Sequence, residues 1–591
     1  MKRQGTEKRK KGADTVLFRW QRLVGPAVIL AAAGVAVAPQ LLQGNSCGHD
    51  FDFHLVSWFD ALNAWRHGIL YPHWAASANY GAGEPRFVFY SPLTWMMGAA
   101  LGSVLPWTLV PVALTFLILA GTGLATRALA RDTLDNGAAT LAGCFALFSG
   151  YALFTAYERT AFAELAGAVW IPLVLLYAMR KGSARGVALL AVAIAGAWLS
   201  NPTVGLMACY LLAAVALVQT LLDLSWTDAL RAAAGALLGM GLAAIYLVPA
   251  AWQQRWVDIR QVTEDPGQML ENNWLFAVHA DPALAYHDQV LHTASVIAVA
   301  MIAAALLGLL VCWLRGRLPG RRRWWIPLAL TPAAVLLLQL SFSRPLWNLL
   351  PELRFLQFPW RWLVVLEAPM AVFVAAAVWP SATARQWRRA AVAVACAAVF
   401  LALTAYAARD LFQSCDDEDA VPGMLDSYRS GAGFEGTYEY EPIGADNSLV
   451  ATELPQACLV SNPAIELGQT AQTPDTPPAW NAAQNTCEAS YAAAPDSRPE
   501  HLRIAATIPH RGFLVLRLRS YPAWRVLVNG KVAASLPLRK DGLMAVPVPR
   551  GAVALTVDWT ATPDTILARW LSGLSVITLT SLCLVKRRRL S

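Results

Sequence analysis

The sequence has 591 residues, of which 56% are hydrophobic and only 15% are charged, and its mean hydropathy is +0.42. Soluble domains average about 25% charged residues, so most of this chain needs no solvated surface. The net charge of +8 does not indicate nucleic acid as a partner, because the basic residues lie in short clusters between apolar runs. That distribution is typical of the cytoplasmic loops of membrane proteins.

Apolar runs of about 20 residues, the length that crosses a bilayer as a helix, recur along the chain. The first follows a basic run and has no small-residue cleavage site, so we expect an anchor and not a cleaved signal peptide. Placing the basic clusters inside gives twelve spans with both ends in the cytoplasm. These spans lie near residues 23–42, 106–126, 137–155, 164–179, 186–200, 203–222, 232–251, 294–314, 324–340, 360–380, 389–408 and 563–585.

The apolar stretch 88–104 is the exception to this pattern. If it also crossed the bilayer, the later basic clusters would change sides, so we predict a re-entrant or interfacial helix there.

The same threading defines four regions. They are a basic cytoplasmic tail (1–22), a transmembrane domain (23–408) with a first outer loop (43–105), an outer domain (409–562), and the last span with a basic cytoplasmic tail (563–591). Within the outer domain, residues 501–560 alternate apolar and polar side chains around the turn signal Asn529-Gly530. This alternation predicts antiparallel β hairpins, arranged as a sandwich. The fold class is therefore a mainly α polytopic bundle with an outer β-rich domain.

Four of the nine cysteines lie outside the spans, where an oxidising compartment would allow two disulfides. Spacing alone does not fix the connectivity. Cys458 and Cys487 are the closest in sequence within one domain, so we predict that they pair, which leaves Cys47 with Cys415. The other five cysteines fall in apolar spans, where we expect small buried side chains.

The first outer loop carries the densest set of ionisable residues, from His49 to His54. Asp50 and His54 share a helical face at i, i+4, and in an extended chain Asp50, Asp52 and His54 line one side. A carboxylate here could accept a proton from a hydroxyl group or hold a divalent cation with the histidines. The alternative is a solvated loop in which Asp50 or Asp52 caps a helix.

Charges also cluster at two other span ends. Glu158, Arg159 and Glu164 follow the third span and could form a site or only a local ion pair. Arg354 and Arg361 lie among aromatic residues, where they could bind a lipid phosphate or serve as ordinary interfacial anchors. The sequence has no Walker-type loop and no His-Glu-x-x-His helix, so ATP-driven transport and zinc hydrolysis have no support.

Several motifs resemble one group of bacterial membrane proteins, those labelled "6-pyruvoyl-tetrahydropterin synthase-related". The motifs are His49-Asp50-x-x-Phe53-His54-Leu55, Gly68-x-x-Tyr71-Pro-x-Trp74, Gly81-x-Gly83-x-Pro85, Glu158-Arg159-x-x-x-x-Glu164, Phe355-Leu-Gln-Phe-Pro-Trp-Arg361, Gly436-Thr-x-Glu-Tyr440 and Tyr521-Pro-x-Trp524. No soluble pterin-synthase domain and no zinc-ligand histidine set accompanies them.

The resemblance implies a fold like that of GT-C glycosyltransferases, which are polytopic enzymes that use polyprenyl-phosphate-linked sugars. Their catalytic acidic residue in the first outer loop corresponds to Asp50, which would act as the base or orient the acceptor, with Asp52 as second choice and His54 assisting. We expect His49, Glu158, Arg159 and Glu164 to contact substrate. Arg159, Arg354 or Arg361 would neutralise the leaving phosphate. The expected partners are the lipid-linked sugar and a glycan, lipid or protein acceptor, at the outer face of the bacterial inner membrane.

The alternative function belongs to a different class. It is a non-catalytic membrane protein or lipid-glycan translocator whose outer domain binds a partner. A transporter is expected to carry ionisable residues near the bilayer midplane, whereas here most charges lie at span ends. The distribution favours chemistry at the outer face.

The threading makes a testable prediction about the 409–562 domain. A reporter that is active only in the cytoplasm, fused after Ser497, should give no signal because the flanking basic clusters at 385–389 and 586–589 belong inside. The same reporter fused after Arg185 is the positive control. Strong activity of the Ser497 fusion would contradict the threading.

Overall fold

The computed structural model describes residues 2–381, 383–468, 477–480, 486–533 and 535–584, so the predicted basic cluster at 586–589 lies outside the described part. Most of the described chain before residue 412 is helical. The α-helices are α1 Lys2–Gln43, α2 Phe51–Arg66, α3 Ala78–Gly81, α4 Arg86–Phe89, α5 Pro92–Gly102, α6 Val110–Ala130, α7 Asn136–Leu147, α8 Gly150–Tyr157, α9 Phe162–Ala168, α10 Ile171–Met179, α11 Ala184–Ser200, α12 Pro202–Asp223, α13 Thr227–Leu242, α14 Ala244–Gln253, α15 Gln261–Glu264, α16 Ala285–Leu314, α17 Arg322–Leu338, α18 Arg344–Leu349, α19 Leu363–Val378, α20 Gln386–Tyr406, α21 Val421–Ser430 and α22 Pro563–Leu584.

Within the described residues, nine helical segments are long and apolar enough to cross a membrane. Two more predicted spans, the seventh and the ninth, are bent helix pairs, α13 with α14 at 74° and α17 with α18 at 96°. The predicted fifth span is the shorter apolar helix α11. Helix α5, within the stretch 88–104, has only 11 residues, too few to cross a bilayer. The predicted polytopic helical architecture is confirmed.

The spans differ in how much of their surface other parts of the protein cover. The segment that contains α19 is 83% buried, whereas the last span, α22, is only 6% buried. A helix that is apolar all round must contact either protein or lipid. Helix α19 therefore lies at the centre of the bundle, and α22 exposes its surface to lipid.

The C-terminal part of the chain forms two four-stranded antiparallel sheets, as the alternating pattern predicted. The strands are β1 Ala457–Val460, β2 Ala489–Tyr491, β3 His501–Ile508, β4 Gly512–Arg519, β5 Trp524–Val528, β6 Lys531–Val532, β7 Leu543–Val548 and β8 Gly551–Trp559. Their orders are β2-β1-β4-β7 and β3-β8-β5-β6, and apolar side chains of both sheets share one buried cluster. The Asn529-Gly530 turn joins β5 to β6, and both residues have positive φ, of 50° and 77°.

The β domain packs directly on the first loop. Trp74 of that loop contacts the rings of Trp524 and Trp559, at centroid distances of 5.1 and 5.8 Å. The Glu500 carboxylate accepts hydrogen bonds from the backbone amides of His73, at 2.5 Å, and Trp74, at 3.2 Å. The apolar and polar contacts together fix the loop between the helical bundle and the β domain.

Two disulfides reinforce this arrangement, and they are the two pairs that the sequence favoured. Cys47 bonds Cys415 with a Cα–Cα distance of 5.0 Å, which ties the start of the first loop to the chain that follows α20. Cys458 bonds Cys487 with a Cα–Cα distance of 5.3 Å within the β domain.

Replacing Cys458 with Ser should loosen the β domain. The bond links residues 29 apart, which is worth about 3–4 kcal/mol in the chain-entropy account of cross-links. We expect faster proteolysis of the domain in Cys458→Ser and no change in Cys583→Ser, whose cysteine is free and exposed. Alkylation of both Cys458 and Cys487 in the native protein without reduction would contradict the pairing.

Candidate functional site

A cavity of about 700 Å³ opens where the first loop, the turn at 158–164, the segment 357–361 and the segment 437–440 meet. Seven of the predicted catalytic and substrate-contacting residues line it together, namely His49, Asp50, His54, Glu158, Arg159, Glu164 and Arg361. The predicted convergence of Asp50, His54, Glu158 and Arg159 on one cavity is therefore observed.

Backbone packing places Asp50 against Arg159. The Asp50 amide donates to the Arg159 carbonyl oxygen at 2.9 Å. Gly48 makes this approach possible, because a Cβ there would lie 2.2 Å from the Glu158 carbonyl oxygen. Asp50 stands at the N-cap position of α2, but its side chain caps no backbone amide. The interpretation of Asp50 as a simple helix cap is therefore wrong, and its carboxylate is free to face the cavity.

An ion network lies on the wall of the cavity next to Asp50. Arg159 contacts the carboxylate of Glu164 at 2.7 Å and that of Asp50 at 3.7 Å. Arg361 contacts the same Glu164 oxygen at 3.3 Å, and the Tyr151 hydroxyl donates to the other Glu164 oxygen. The predicted Arg159–Glu164 pair thus exists as part of a larger network.

Aromatic rings shield the two arginines. The Arg159 guanidinium lies 4.8 Å from the Trp360 ring centroid, and that of Arg361 lies 4.6 Å from the Phe358 ring centroid. Arg159 is only 7% exposed. The carboxylates of Glu164 and Asp50 together offset the two guanidinium groups, so the network presents fixed charges of both signs to the cavity.

The electrostatics keep Asp50 ionised. Burial by itself would raise the pKa of Asp50, but a hydrogen bond from His49, at 3.1 Å, and the charge of Arg159 lower it well below its ordinary value. The pKa of His49 is raised in turn, chiefly by its hydrogen bond to Asp50. Asp50 therefore carries a negative charge at neutral pH and is a weak proton acceptor.

His54, unlike Asp50, is uncharged at neutral pH. It is 3% exposed, and burial lowers its pKa to about 4 despite the attraction of Asp50. The ring is neutral at pH 7, and its Nδ1 shares a hydrogen bond with the Tyr90 hydroxyl. His54 can therefore orient a neighbouring group without adding a positive charge.

Three predicted site residues, Glu158, Asp52 and Arg354, lie outside the ion network of Arg159 and Glu164. Glu158 accepts a hydrogen bond from Gln413 at 2.7 Å, and burial raises its pKa. Asp52 is exposed and does not line the cavity. The prediction that Arg354 belongs to the site is wrong, because it lies outside the cavity and binds Glu271 at 2.6 Å.

The structure adds residues that sequence reasoning did not assign to the site. Trp360, Tyr90 and Glu439 all line the cavity. The only sequence signal for Glu439 was its place in the Gly436-Thr-x-Glu-Tyr440 motif, far along the chain from the first loop.

The sequence left open whether the first outer loop holds a divalent cation. Among the residues that the structure describes, no three His, Cys, Asp or Glu side chains come together in a way that could hold a metal ion. His54 is hydrogen-bonded to Tyr90 and Asp50 to His49, so these residues are already engaged with other partners.

A second cavity, of about 820 Å³, lies between the first loop and the β domain. Its buried charges neutralise each other, as Arg539 contacts Asp541 at 2.5 Å. Convergent, incompletely balanced charges favour the cavity at Asp50 as the functional site.

The sequence and fold define a multi-pass membrane protein. The profile of the family described as "6-pyruvoyl-tetrahydropterin synthase related domain; membrane protein" matches residues 87–410, more than half of the chain. The chain therefore belongs to this family, as the motifs predicted. None of the curated protein sequences matches it.

Solved structures similar to this one include the arabinofuranosyltransferase AftD from Mycobacteria, with 19% identity and a TM-score of 0.39 over 69% of this chain. The Archaeoglobus fulgidus oligosaccharyltransferase in complex with Zn and sulfate has 15% identity and a TM-score of 0.40 over 70%. AglB from Archaeoglobus fulgidus, in complex with an inhibitory peptide and a dolichol-phosphate, has 15% identity and a TM-score of 0.39 over 72%. The matched part spans 27% of the AftD chain, and 58% and 61% of the two Archaeoglobus chains.

The close approach at Gly48 can be tested by Gly48→Ala. The added methyl group would overlap the Glu158 carbonyl oxygen, so we expect a loss of about 1–3 kcal/mol in stability, typical of overpacking. Unfolding can be followed with a thiol dye that reacts with the buried cysteines as they become exposed. Gly34→Ala is the matched control, because a Cβ there meets no atom within 4 Å. Equal unfolding temperatures for the two variants would contradict the described packing.

Proposed function

We propose that the protein is a membrane glycosyltransferase that takes a sugar from a polyprenyl-phosphate-linked donor and transfers it to a glycan, lipid or protein acceptor. The observation that carries the proposal is the pairing, in one cavity, of an ionised carboxylate, Asp50, with two shielded guanidinium groups, Arg159 and Arg361. We place this chemistry at the outer face of the bacterial inner membrane, with the β domain on the same side.

The two arginines suit a phosphate leaving group. When the bond between the sugar and the phosphate breaks, the lipid phosphate gains one negative charge. Arg159 and Arg361 both line the cavity beside Glu164, so a phosphate entering it would meet two guanidinium groups at once. Guanidinium groups bind phosphate oxygens through paired hydrogen bonds, which also orients the donor.

Asp50 suits the electron-poor sugar carbon. Its lowered pKa keeps it negative, and a fixed negative charge favours the positive charge that develops at the anomeric carbon as the phosphate leaves. Arg159 connects Asp50 to the phosphate-binding side of the cavity, so both ends of the breaking bond face groups of opposite charge.

Phosphate binding can be measured with undecaprenyl phosphate in detergent or nanodiscs. Arg361→Gln should weaken binding tenfold or more, since a hydrogen bond to a charged group contributes about 1.5–3 kcal/mol. Arg354→Gln is the matched control, because Arg354 lies outside the cavity on Glu271. Equal weakening by both variants would indicate general attraction to the membrane surface and would contradict the site.

Transfer can be measured with a panel of undecaprenyl-phosphate-linked radiolabelled sugars and the cell-envelope fraction as acceptor. Asp50→Asn should abolish transfer while the protein is still expressed and folded, and Asp52→Asn should have a milder effect because Asp52 lies outside the cavity. Wild-type protein that binds the lipid phosphate but transfers no sugar would support the lipid-glycan translocator instead.

A further inference from the structure

Glu439 has an unusual position in the cavity. It belongs to the short 3-10 helix Tyr438–Tyr440, which comes before the β domain, yet it lines the same cavity as Asp50. It is half-buried. Two carboxylates from chain segments almost 400 residues apart thus line the same cavity.

The segment that carries Glu439 is firmly held. The Thr437 amide and hydroxyl donate to the Glu84 carboxylate, at 2.8 and 2.9 Å. Glu84 in turn contacts Arg86 at 2.7 Å, and Arg86 lies 4.5 Å from the centroid of the Phe53 ring, on the same helix as His54. These contacts connect the segment that carries Glu439 to α2, the helix that begins directly after Asp50.

The carboxylate of Glu439, in contrast, is paired with no other side chain among the described residues, and it accepts a hydrogen bond from its own backbone amide. The other acidic side chains buried in the cavity wall are engaged, Glu158 with Gln413 and Glu164 with two arginines. Asp265 also lines the cavity but is exposed.

We propose that Glu439 is a catalytic residue of this site, the general base that accepts the proton of the acceptor hydroxyl. The inference rests on the proposed function and assigns a step within it. The acceptor oxygen forms a bond to the anomeric carbon, and the bond from that carbon to the phosphate oxygen breaks. The electron pair leaves with the lipid phosphate, and the hydroxyl proton moves to the Glu439 carboxylate.

The division of roles between the two carboxylates follows from their surroundings. Asp50 is held negative by His49 and Arg159, so it binds a proton weakly. Burial raises the pKa of Glu439 to about 7, where Glu84 and Asp50 add to the rise and Arg86 opposes it. A base works best when its pKa lies near the working pH. One carboxylate therefore stabilises charge while the other exchanges a proton, as in other sites with two carboxylates in unlike environments.

The test is transfer by the full-length protein in nanodiscs, with the undecaprenyl-phosphate-linked sugar that wild type uses. Glu439→Gln should lower kcat at least 100-fold while undecaprenyl phosphate binding stays within twofold, because the donor phosphate lies at the arginines. The matched control is Glu435→Gln, whose carboxylate lies outside the cavity and accepts from Tyr438 at 2.6 Å. We expect that variant to keep the wild-type rate.

Two further readouts distinguish a base from a structural residue. The wild-type rate should rise with pH up to about 7, because Glu439 must lose its proton to act, and this rise should be absent from the residual activity of Glu439→Gln. In Glu439→Ala, added formate should restore part of the rate by supplying a small carboxylate.

The outcomes separate the two proposals. A wild-type rate in Glu439→Gln with an inactive Asp50→Asn would overturn the assignment of Glu439 and leave the transferase proposal standing. Loss of activity in Glu439→Gln together with loss of lipid phosphate binding, and no rescue by formate, would also overturn it. Failure of wild type to transfer any sugar in the panel would overturn the transferase proposal and the base with it.

Discussion

Two guanidinium groups, Arg159 and Arg361, share the single carboxylate of Glu164 where the helical bundle meets the first loop. Buried charges are costly unless they are paired and hydrogen-bonded. The protein meets this requirement with Tyr151, with the rings of Trp360 and Phe358, and with the carboxylate of Asp50. The network also fixes the local geometry. Arg159 contacts Asp50 of the first loop, and its contact with Glu164 joins the two ends of the turn at 158–164.

The rest of the architecture holds the parts of the network in register. The Cys47–Cys415 disulfide lies just before Asp50, and Gln413, two residues before Cys415, binds Glu158. Glu84 and Arg86 connect α2 to the segment that carries Glu439. The β domain packs on the first loop through Trp74. These contacts hold the distant chain segments that line the cavity in fixed positions at the boundary of the spans.

Much of the fold could be predicted from sequence because it follows local rules. Hydropathy located the spans, although not the bends in two of them, and alternation located β3, β4, β5 and β8. Strands β1 and β2 come from a region poor in apolar runs, where tertiary pairing with β4 decides the structure. In the site, motifs identified Asp50 and Arg159, but a contact such as Arg354 with Glu271 depends on the tertiary structure. Glu439 could not be assigned to the cavity from sequence, since nearly 400 residues separate it from Asp50.

We propose that the cavity at Asp50 receives a lipid phosphate. A structure of the full chain in nanodiscs with undecaprenyl phosphate tests this directly. We expect phosphate density within hydrogen-bonding distance of Arg159 or Arg361, with the prenyl chain leaving the cavity toward the lipid-facing helices. Phosphate density on Arg354, or an empty cavity at a saturating lipid concentration that binding measurements confirm, would contradict it.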